Sequence, residues 1–321
     1  MSVFVTRRIP ELGLQALRDA GVEFEVGIED DVAPLPRDAL LRGVRAHPVV
    51  LCQLTDRIDD EVLAANPSLR GVAQMAVGYD NIDVAAARAR GIPVGNTPGV
   101  LTDATADLTW ALLLAVARRV PQAHRYTVDG RFRAWGPNLL LGASVGPAPD
   151  GTRRTLGIVG LGRIGQAVAR RARGFDMEVL TWSRTPRAID GVAPVAFDEL
   201  LERSDFVTLH VPLDASTRHL VGADALRRMK STAFLINTAR GPIVDEAALV
   251  RALRERVIAG AGLDVYEREP RLEPGLVDLP NVVLLPHVGS ATHETRARMA
   301  EMAATNAICF VRGTAAPHLV G

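Results

Sequence analysis

Cysteine is almost missing from this 321-residue chain: Cys52 and Cys309 are its two, far apart and without CxxC or CxxH spacing. That pattern excludes a disulfide framework and a zinc site, so two reduced thiols near apolar surface, and no metal, are expected. Net charge is lacking too, with 37 basic and 37 acidic residues, and nothing in the overall electrostatics calls for nucleic acid or an anionic membrane surface as a partner. Lysine is represented by Lys230 alone, the other basic residues being arginine. The longest apolar run, residues 110–117, falls well short of the roughly twenty residues that span a bilayer and reads as a buried or interface helix. The opening stretch Met1-Ser2-Val3-Phe4-Val5-Thr6-Arg7-Arg8 lacks the basic-then-apolar order of a secretory leader, so a cytoplasmic protein is expected.

A chain of this length predicts two domains. Short apolar strands alternate with amphipathic helices through 3–6, 11–19, 24–26, 37–45, 49–52, 59–65, 69–73, 83–90 and 92–94. Such alternation predicts βα units on a mostly parallel sheet. A second strand series starts at Thr155 and continues through 177–181, 205–210, 233–237, 259–263 and 282–285. Between the two series, Thr102 can cap a long helix running to about residue 120, with Pro121 as its stop. Residues 130–151, rich in Gly and Pro, read as loop. The closing helix at 293–312 needs an apolar partner, and packing back on the first domain makes that domain discontinuous.

The most informative segment is Leu156-Gly157-Ile158-Val159-Gly160-Leu161-Gly162-Arg163-Ile164-Gly165, an apolar strand that runs through GxGxxG into an Ala-rich helical stretch. Gly160 permits the tight turn, Gly162 lets backbone approach a pyrophosphate, and Gly165 lets the helix lie close on the sheet. Strand and helix on either side make a dinucleotide site the reading, with Leu161, Arg163 and Ile164 as further loop contacts. An acidic residue at the tip of the next strand binds the adenosine ribose in NAD sites. Here that strand, 177–182, ends in Ser183-Arg184-Thr185, and its only acid, Glu178, sits at the beginning. A guanidinium between two hydroxyls suits a 2′-phosphate, so NADP(H) is expected ahead of NAD(H), with Arg187 assisting. The alternative is that Arg184 is a solvated surface arginine.

Chemistry in such folds sits beyond the carboxyl ends of the strands. Three loops qualify: Asn237-Thr238-Ala239-Arg240-Gly241-Pro242, Asp264-Val265-Tyr266-Glu267-Arg268-Glu269-Pro270 and Pro286-His287-Val288-Gly289-Ser290. Together they offer what hydride transfer to a carbonyl needs: a proton donor, a group that orients it, and a cation for an anionic substrate.

With Val77-Gly78-Tyr79-Asp80-Asn81-Ile82-Asp83 and the glycine fingerprint, these motifs occur in one order over nearly the whole chain. In that order the sequence resembles the D-isomer-specific 2-hydroxyacid dehydrogenase family, and within it the glyoxylate/hydroxypyruvate reductases. The resemblance implies His287 as proton donor, Glu269 as the carboxylate that fixes its ring, and Arg240 as the substrate arginine. Glu267 is the nearest competitor for the carboxylate role, but the family's acid directly precedes proline. Substrate contacts implied are Leu54, the backbone N–H groups of Val77 and Gly78, Arg240, His287, and Trp135 from a neighbouring subunit of a homodimer. Ordinary core filling is the other reading of Trp135. His210, with Val211 and Pro212, resembles the adenine-side wall, while Thr105, Thr217, Thr238, Ala239, Arg240, Asp264, His287 and Gly289 line the nicotinamide end. Asp264 reads equally as a strand-end turn acid.

The fold implied is α/β, with two Rossmann-like/flavodoxin-like doubly wound parallel-sheet domains and an interdomain cleft. Residues 1–100 plus 290–321 form the substrate domain, and 101–289 the NAD(P)-binding Rossmann domain. The function implied is NADPH-dependent reduction of a short 2-oxo acid, glyoxylate or hydroxypyruvate, to the D-2-hydroxy acid. An arginine near Gln53 or Leu54, as in the phosphoglycerate branch, is missing. Alternatives are NAD-dependent enzymes of phosphoglycerate, formate or phosphite type, and a non-catalytic NAD(H)-sensing binding protein.

Overall fold

Apolar strands buried on both faces form the centre of each half of the chain, in a computed structural model that describes residues 2–30, 33–185, 187 and 189–320. Met1 and Gly321, the ends of the expected substrate domain, lie outside the described residues, as do Asp31, Val32, Pro186 and Ala188. The chain divides into two compact units, Met1–Leu101 with Ser290–Gly321, and Thr102–Gly289.

The first unit runs β1 (Ser2–Val5), α1 (Glu11–Asp19), β2 (Glu23–Val26), α2 (Arg37–Ala46), β3 (Val49–Cys52), α3 (Asp60–Ala64), β4 (Gly71–Gln74), α4 (Val84–Ala89) and β5 (Val94–Gly95). Its five strands lie in the order β2-β1-β3-β4-β5, all parallel. Every residue of β3 and β4 is buried, which a parallel sheet covered by helices on both sides requires. Asp59 and Asp83 each accept a backbone N–H at the start of α3 and α4.

The second unit comprises α5 (Thr102–Ala117), α6 (Val120–Val128), β6 (Thr155–Val159), α7 (Arg163–Ala172), β7 (Glu178–Trp182), β8 (Ala193–Pro194), α8 (Phe197–Arg203), β9 (Phe206–Leu209), α9 (Ala223–Arg228), β10 (Phe234–Asn237), α10 (Glu246–Arg254), β11 (Gly260–Leu263) and β12 (Val282–Leu284). Its seven parallel strands follow the order β12-β11-β10-β9-β6-β7-β8. Strand order reverses between β6 and β9, the place where such sheets bind ligands. Register aligns Val159 with Leu209, Leu209 with Asn237, Asn237 with Leu263, and Leu263 with Leu284. The loops that follow these five strands therefore leave the sheet along one edge.

The final helix, α11 (His293–Arg312), belongs to the first unit. Thr292 caps it through the Thr295 N–H, and Gly313, at φ +69°, ends it. Met299, Ala300, Ala303, Ala307 and Phe310 pack there with Leu14 and Leu17 of α1. A Cβ on Gly13 would lie 2.8 Å from Ala300, so the two helices meet almost backbone to backbone.

Two sequence expectations need correction. Pro121 does not stop a helix: α5 already ends at Ala117, Arg119 takes φ +55°, and Pro121 sits in the first turn of α6. There its missing N–H costs nothing, because the first helical N–H groups have no internal partner. Trp135 is 80% exposed, which removes core filling as its explanation. No described helix is long and apolar enough to cross a membrane. Among the described residues, no group of three or more His, Cys, Asp or Glu could hold a metal ion, and both cysteines are free.

Candidate active site

β6 delivers the chain to Gly160, whose φ of +99° favours glycine. A Cβ there would stand 2.7 Å from the His210 backbone, and one on Gly165 would meet the Gly160 carbonyl at 2.2 Å. Gly162 differs, because a Cβ on it would enter open space. Its lack of a side chain leaves room for something outside the chain, beside an α7 N-terminus that has no side-chain cap. Uncapped N–H groups with an unobstructed approach fit a dinucleotide pyrophosphate.

At the end of β7, Arg184 pairs with Asp214 at 2.9 Å and donates to the Ser216 hydroxyl at 3.2 Å. It is 57% exposed and held by those two partners. Ser183 donates to the Thr185 carbonyl at 2.8 Å, and Ser183 and Arg187 help line a surface cavity of about 380 Å³. His210, just after β9, has a buried Nε2 with no partner, and burial pushes its pKa down to about 3, which keeps the ring neutral. The Thr217 hydroxyl donates to the Pro212 carbonyl (2.7 Å) and accepts from the Asp214 N–H (2.8 Å), so it builds the loop carrying Val211 and Pro212.

Around the other strand ends the assigned residues converge. Glu269 and His287 meet at 2.8 Å through Oε2 and Nδ1, while Oε1 accepts the Tyr266 N–H at 2.9 Å. Burial raises the Glu269 carboxyl, but the His287 hydrogen bond and charge, the Tyr266 N–H and Arg240 outweigh it and hold the group below its ordinary range. His287 sits at φ +55°, unusual for a residue with a side chain. Asp264 keeps it there: its carbonyl accepts the His287 N–H, and its two carboxylate oxygens accept the Val288 and Gly289 N–H groups, each at 2.8 Å. Asp264 is 1% exposed, and burial pushes its pKa up despite those N–H groups and His287. Both readings of Asp264 placed it at this end, and the structure gives it a clamp.

Arg240 follows Asn237, whose side chain accepts the Ala239 N–H at 3.0 Å and donates to the Arg240 carbonyl at 2.9 Å. Its guanidinium donates to the Ala239 carbonyl at 2.8 Å. Gly241, next in line, lies against the Tyr266–Glu267 peptide, and that close approach needs glycine. Thr105 donates to the Gly289 carbonyl (3.1 Å), Thr109 to the Thr105 carbonyl (2.8 Å), and the Thr109 and Thr238 hydroxyls are 2.9 Å apart.

Several contributors escaped the sequence reading. Tyr266 donates to the Leu285 carbonyl at 2.7 Å, and burial with nearby Asp264, Glu246 and Glu269 raises its hydroxyl above the usual range. Glu267, the rejected competitor, faces His219 at 2.9 Å instead of His287. Glu246 accepts the Glu267 N–H at 2.8 Å. Burial and the neighbouring Glu267 and Glu273 raise Glu246 to about 7 against the opposing Glu267 N–H and Arg268. A helix position facing these loops was the available signal for Thr109. None existed for Glu246. Leu54, Val77 and Gly78 lie in the first unit, at the ends of β3 and β4.

Comparison with known proteins bears on this geometry. A sequence model described as "D-isomer specific 2-hydroxyacid dehydrogenase, NAD binding domain" matches residues 110–289. The glyoxylate reductase of Korarchaeum cryptofilum is 53% identical, covering 99% of this chain and 95% of that protein. That of Thermococcus litoralis is 49% identical, covering 99% and 96%. Among solved structures, an NADPH-dependent glyoxylate/hydroxypyruvate reductase from Sinorhizobium meliloti, in complex with NADP and malonate, superposes with a TM-score of 0.86 at 37% identity, covering 100% of this chain and 96% of that one. The chain belongs to the D-isomer-specific 2-hydroxyacid dehydrogenase family and is an NAD(P)-dependent dehydrogenase.

Proposed function

We propose that this enzyme reduces glyoxylate and hydroxypyruvate to the D-2-hydroxy acid with NADPH, the Thr102–Gly289 unit binding the cofactor and the other unit the acid. The observation that carries the reading is the His287–Glu269 pair, fixed by Asp264 on the same strand edge as Arg240. The glycine loop at Gly160–Gly165 would hold a nicotinamide dinucleotide, which when bound would supply hydride for the carbonyl carbon. With Nδ1 engaged by Glu269, His287 gives the proton on Nε2 to the carbonyl oxygen as the C–H bond forms, and Glu269 keeps the ring in that orientation. Arg240 holds the carboxylate and polarises the carbonyl through its fork. Leu54 and the N–H groups of Val77 and Gly78 complete the acid's site. The malonate and NADP bound to the Sinorhizobium glyoxylate/hydroxypyruvate reductase and the kinship with archaeal glyoxylate reductases support the choice of substrate.

Preference for NADPH rests on Ser183, Arg184 and Thr185 as the receptors of a 2′-phosphate. A homodimer rests on the large apolar side chains exposed along 120–141, Val120, Val128, Phe132, Trp135 and Leu141, which a second copy would cover. In it Trp135 of one subunit contacts the acid held by the other. A monomer by light scattering at micromolar concentration refutes the dimer. The cytoplasm is the compartment that fits this cofactor and chemistry.

The test is oxidation of NADPH and NADH over glyoxylate, hydroxypyruvate, pyruvate and bulkier 2-oxo acids, with His287→Ala and Arg240→Ala alongside. Turnover highest on the two short acids with NADPH is expected, His287→Ala lowering mainly kcat and Arg240→Ala raising KM as well. Unchanged kinetics in both variants, or faster turnover with NADH, overturns the assignment.

A further inference from the structure

The first unit pins the peptide groups around Val77 and Gly78 from behind. Asn96 donates from Nδ2 to the Val77 carbonyl at 2.9 Å, and the Thr97 N–H donates to the Ala76 carbonyl at 2.9 Å. In a trans peptide the carbonyl and the next residue's N–H point in opposite directions. Fixing the carbonyls of Ala76 and Val77 therefore fixes the N–H groups of Val77 and Gly78 on the far side, where neither has a partner among the described residues. Asn81 repeats the device one strand away, donating to the carbonyls of Gln53 (3.0 Å) and Asp56 (2.8 Å). Its Oδ1 accepts from the wholly buried Gln74, which also donates to the Gly78 carbonyl at 3.2 Å. Asp56 closes the network by accepting the Gln53 N–H at 2.7 Å and the Thr6 hydroxyl at 2.5 Å.

We propose that Asn96 and Asn81 are positioning residues that aim the backbone N–H groups of Val77, Gly78 and Leu54 at the substrate carboxylate, so that affinity for the acid is set by two amides that never touch it. The inference rests on the function proposed above. Hydrogen bonds from preset N–H groups to a carboxylate are lost when those groups swing, and the loss is shared by ground and transition states, so it falls on KM and not on kcat.

Asn96→Ala, Asn96→Ser and Asn81→Ser separate this role from mere support of the fold. At saturating NADPH, each variant is expected to raise the glyoxylate KM and the inhibition constant of oxalate together, by about tenfold for Asn96→Ala. The serine variants, which keep a donor, fall between it and wild type. Cofactor affinity, which belongs to the other unit, and kcat stay within twofold. Unmoved KM and oxalate inhibition in folded variants overturn the proposal, and so does loss of the fold in all three, which makes the amides structural only. Failure of the wild-type enzyme to reduce any 2-oxo acid overturns instead the function on which it rests.

Discussion

Replacing Gly241 by alanine puts a methyl group where the chain has none to spare. Its Cβ would lie 1.8 Å from the carbonyl carbon of Tyr266, 1.9 Å from its oxygen and 2.3 Å from the Glu267 nitrogen. All three are backbone atoms, so no side-chain rotation relieves the overlap. Real Cβ atoms keep about 3.0 Å from such neighbours, and the two segments must part by more than 1 Å. One of them carries Arg240, the residue before Gly241, and the other carries Glu269, whose Oε1 is held by the Tyr266 N–H. The displacement thus falls between Arg240 and the Glu269–His287 pair. A misplacement of about 1 Å at a catalytic site costs roughly 100-fold in rate, and overpacking of this kind lowers stability by about 1–3 kcal/mol.

The assay is steady-state oxidation of NADPH by glyoxylate at saturating cofactor, with cofactor binding followed by nicotinamide fluorescence. Gly241→Ala is expected to lose about two orders of magnitude in kcat/KM while the cofactor still binds. Gly174→Ala is the control, because a Cβ there meets nothing within 4 Å. A folded Gly241→Ala enzyme within twofold of wild type would show that Arg240 and Glu269 are not registered through this contact, and the reasoning would fail.

Two further outcomes follow from the same unit. Glu246, ordinarily near 4.5 but at about 7 in the folded chain, binds its proton more tightly folded than unfolded, so stability falls as pH rises between those values and stays lower above them. Glu246→Gln keeps an acceptor for the Glu267 N–H and abolishes that penalty. Its melting temperature should exceed wild type at pH 8 by the equivalent of about 2–3 kcal/mol and converge with it near pH 5, whereas a pH-independent difference refutes the assignment. Arg184→Ala should lower kcat/KM for NADPH by roughly 10- to 100-fold through loss of charge-assisted hydrogen bonds to the phosphate, with NADH barely affected; an equal fall with both cofactors is the refuting result.

Fold class was legible because parallel strands buried on both faces must be continuous apolar runs, as in 49–52, 155–159 and 234–236. GxGxxG was legible because each glycine answers a different steric demand of one turn. Pro121 misled, since proline both follows helices and opens them, and only the left-handed turn at Arg119 decides between the two. Glu246 gave no signal, because a glutamate in a first helical turn ordinarily favours the helix dipole in water. Glu246 is 2% exposed and accepts the Glu267 N–H, some twenty residues away in sequence. Thr217 and Asp264 illustrate a related ambiguity: a hydroxyl or carboxylate near a cofactor site can serve the ligand or the loop, and residue type is the same in both cases.

What the fold adds to the motifs is the connection among them. The segment from Asp264 to Glu269 touches each of its neighbours: Asp264 takes three successive N–H groups of the His287 loop, Tyr266 reaches the Leu285 carbonyl, and the Tyr266–Glu267 peptide abuts Gly241. Glu246 adds a fourth tie through the Glu267 N–H. Each contact alone contributes about 0.5–1.5 kcal/mol, or up to about 3 where a charge accepts, which is modest beside the entropy of ordering three loops. Together they leave the imidazole and its carboxylate one shared frame, so the orientation energy is supplied on folding and not at each turnover. That accounts for the acid–proline motif lying in the middle strand-end loop: Glu269 must face His287 on one side while the Tyr266–Glu267 peptide that carries it is registered against Gly241 of the Arg240 loop on the other.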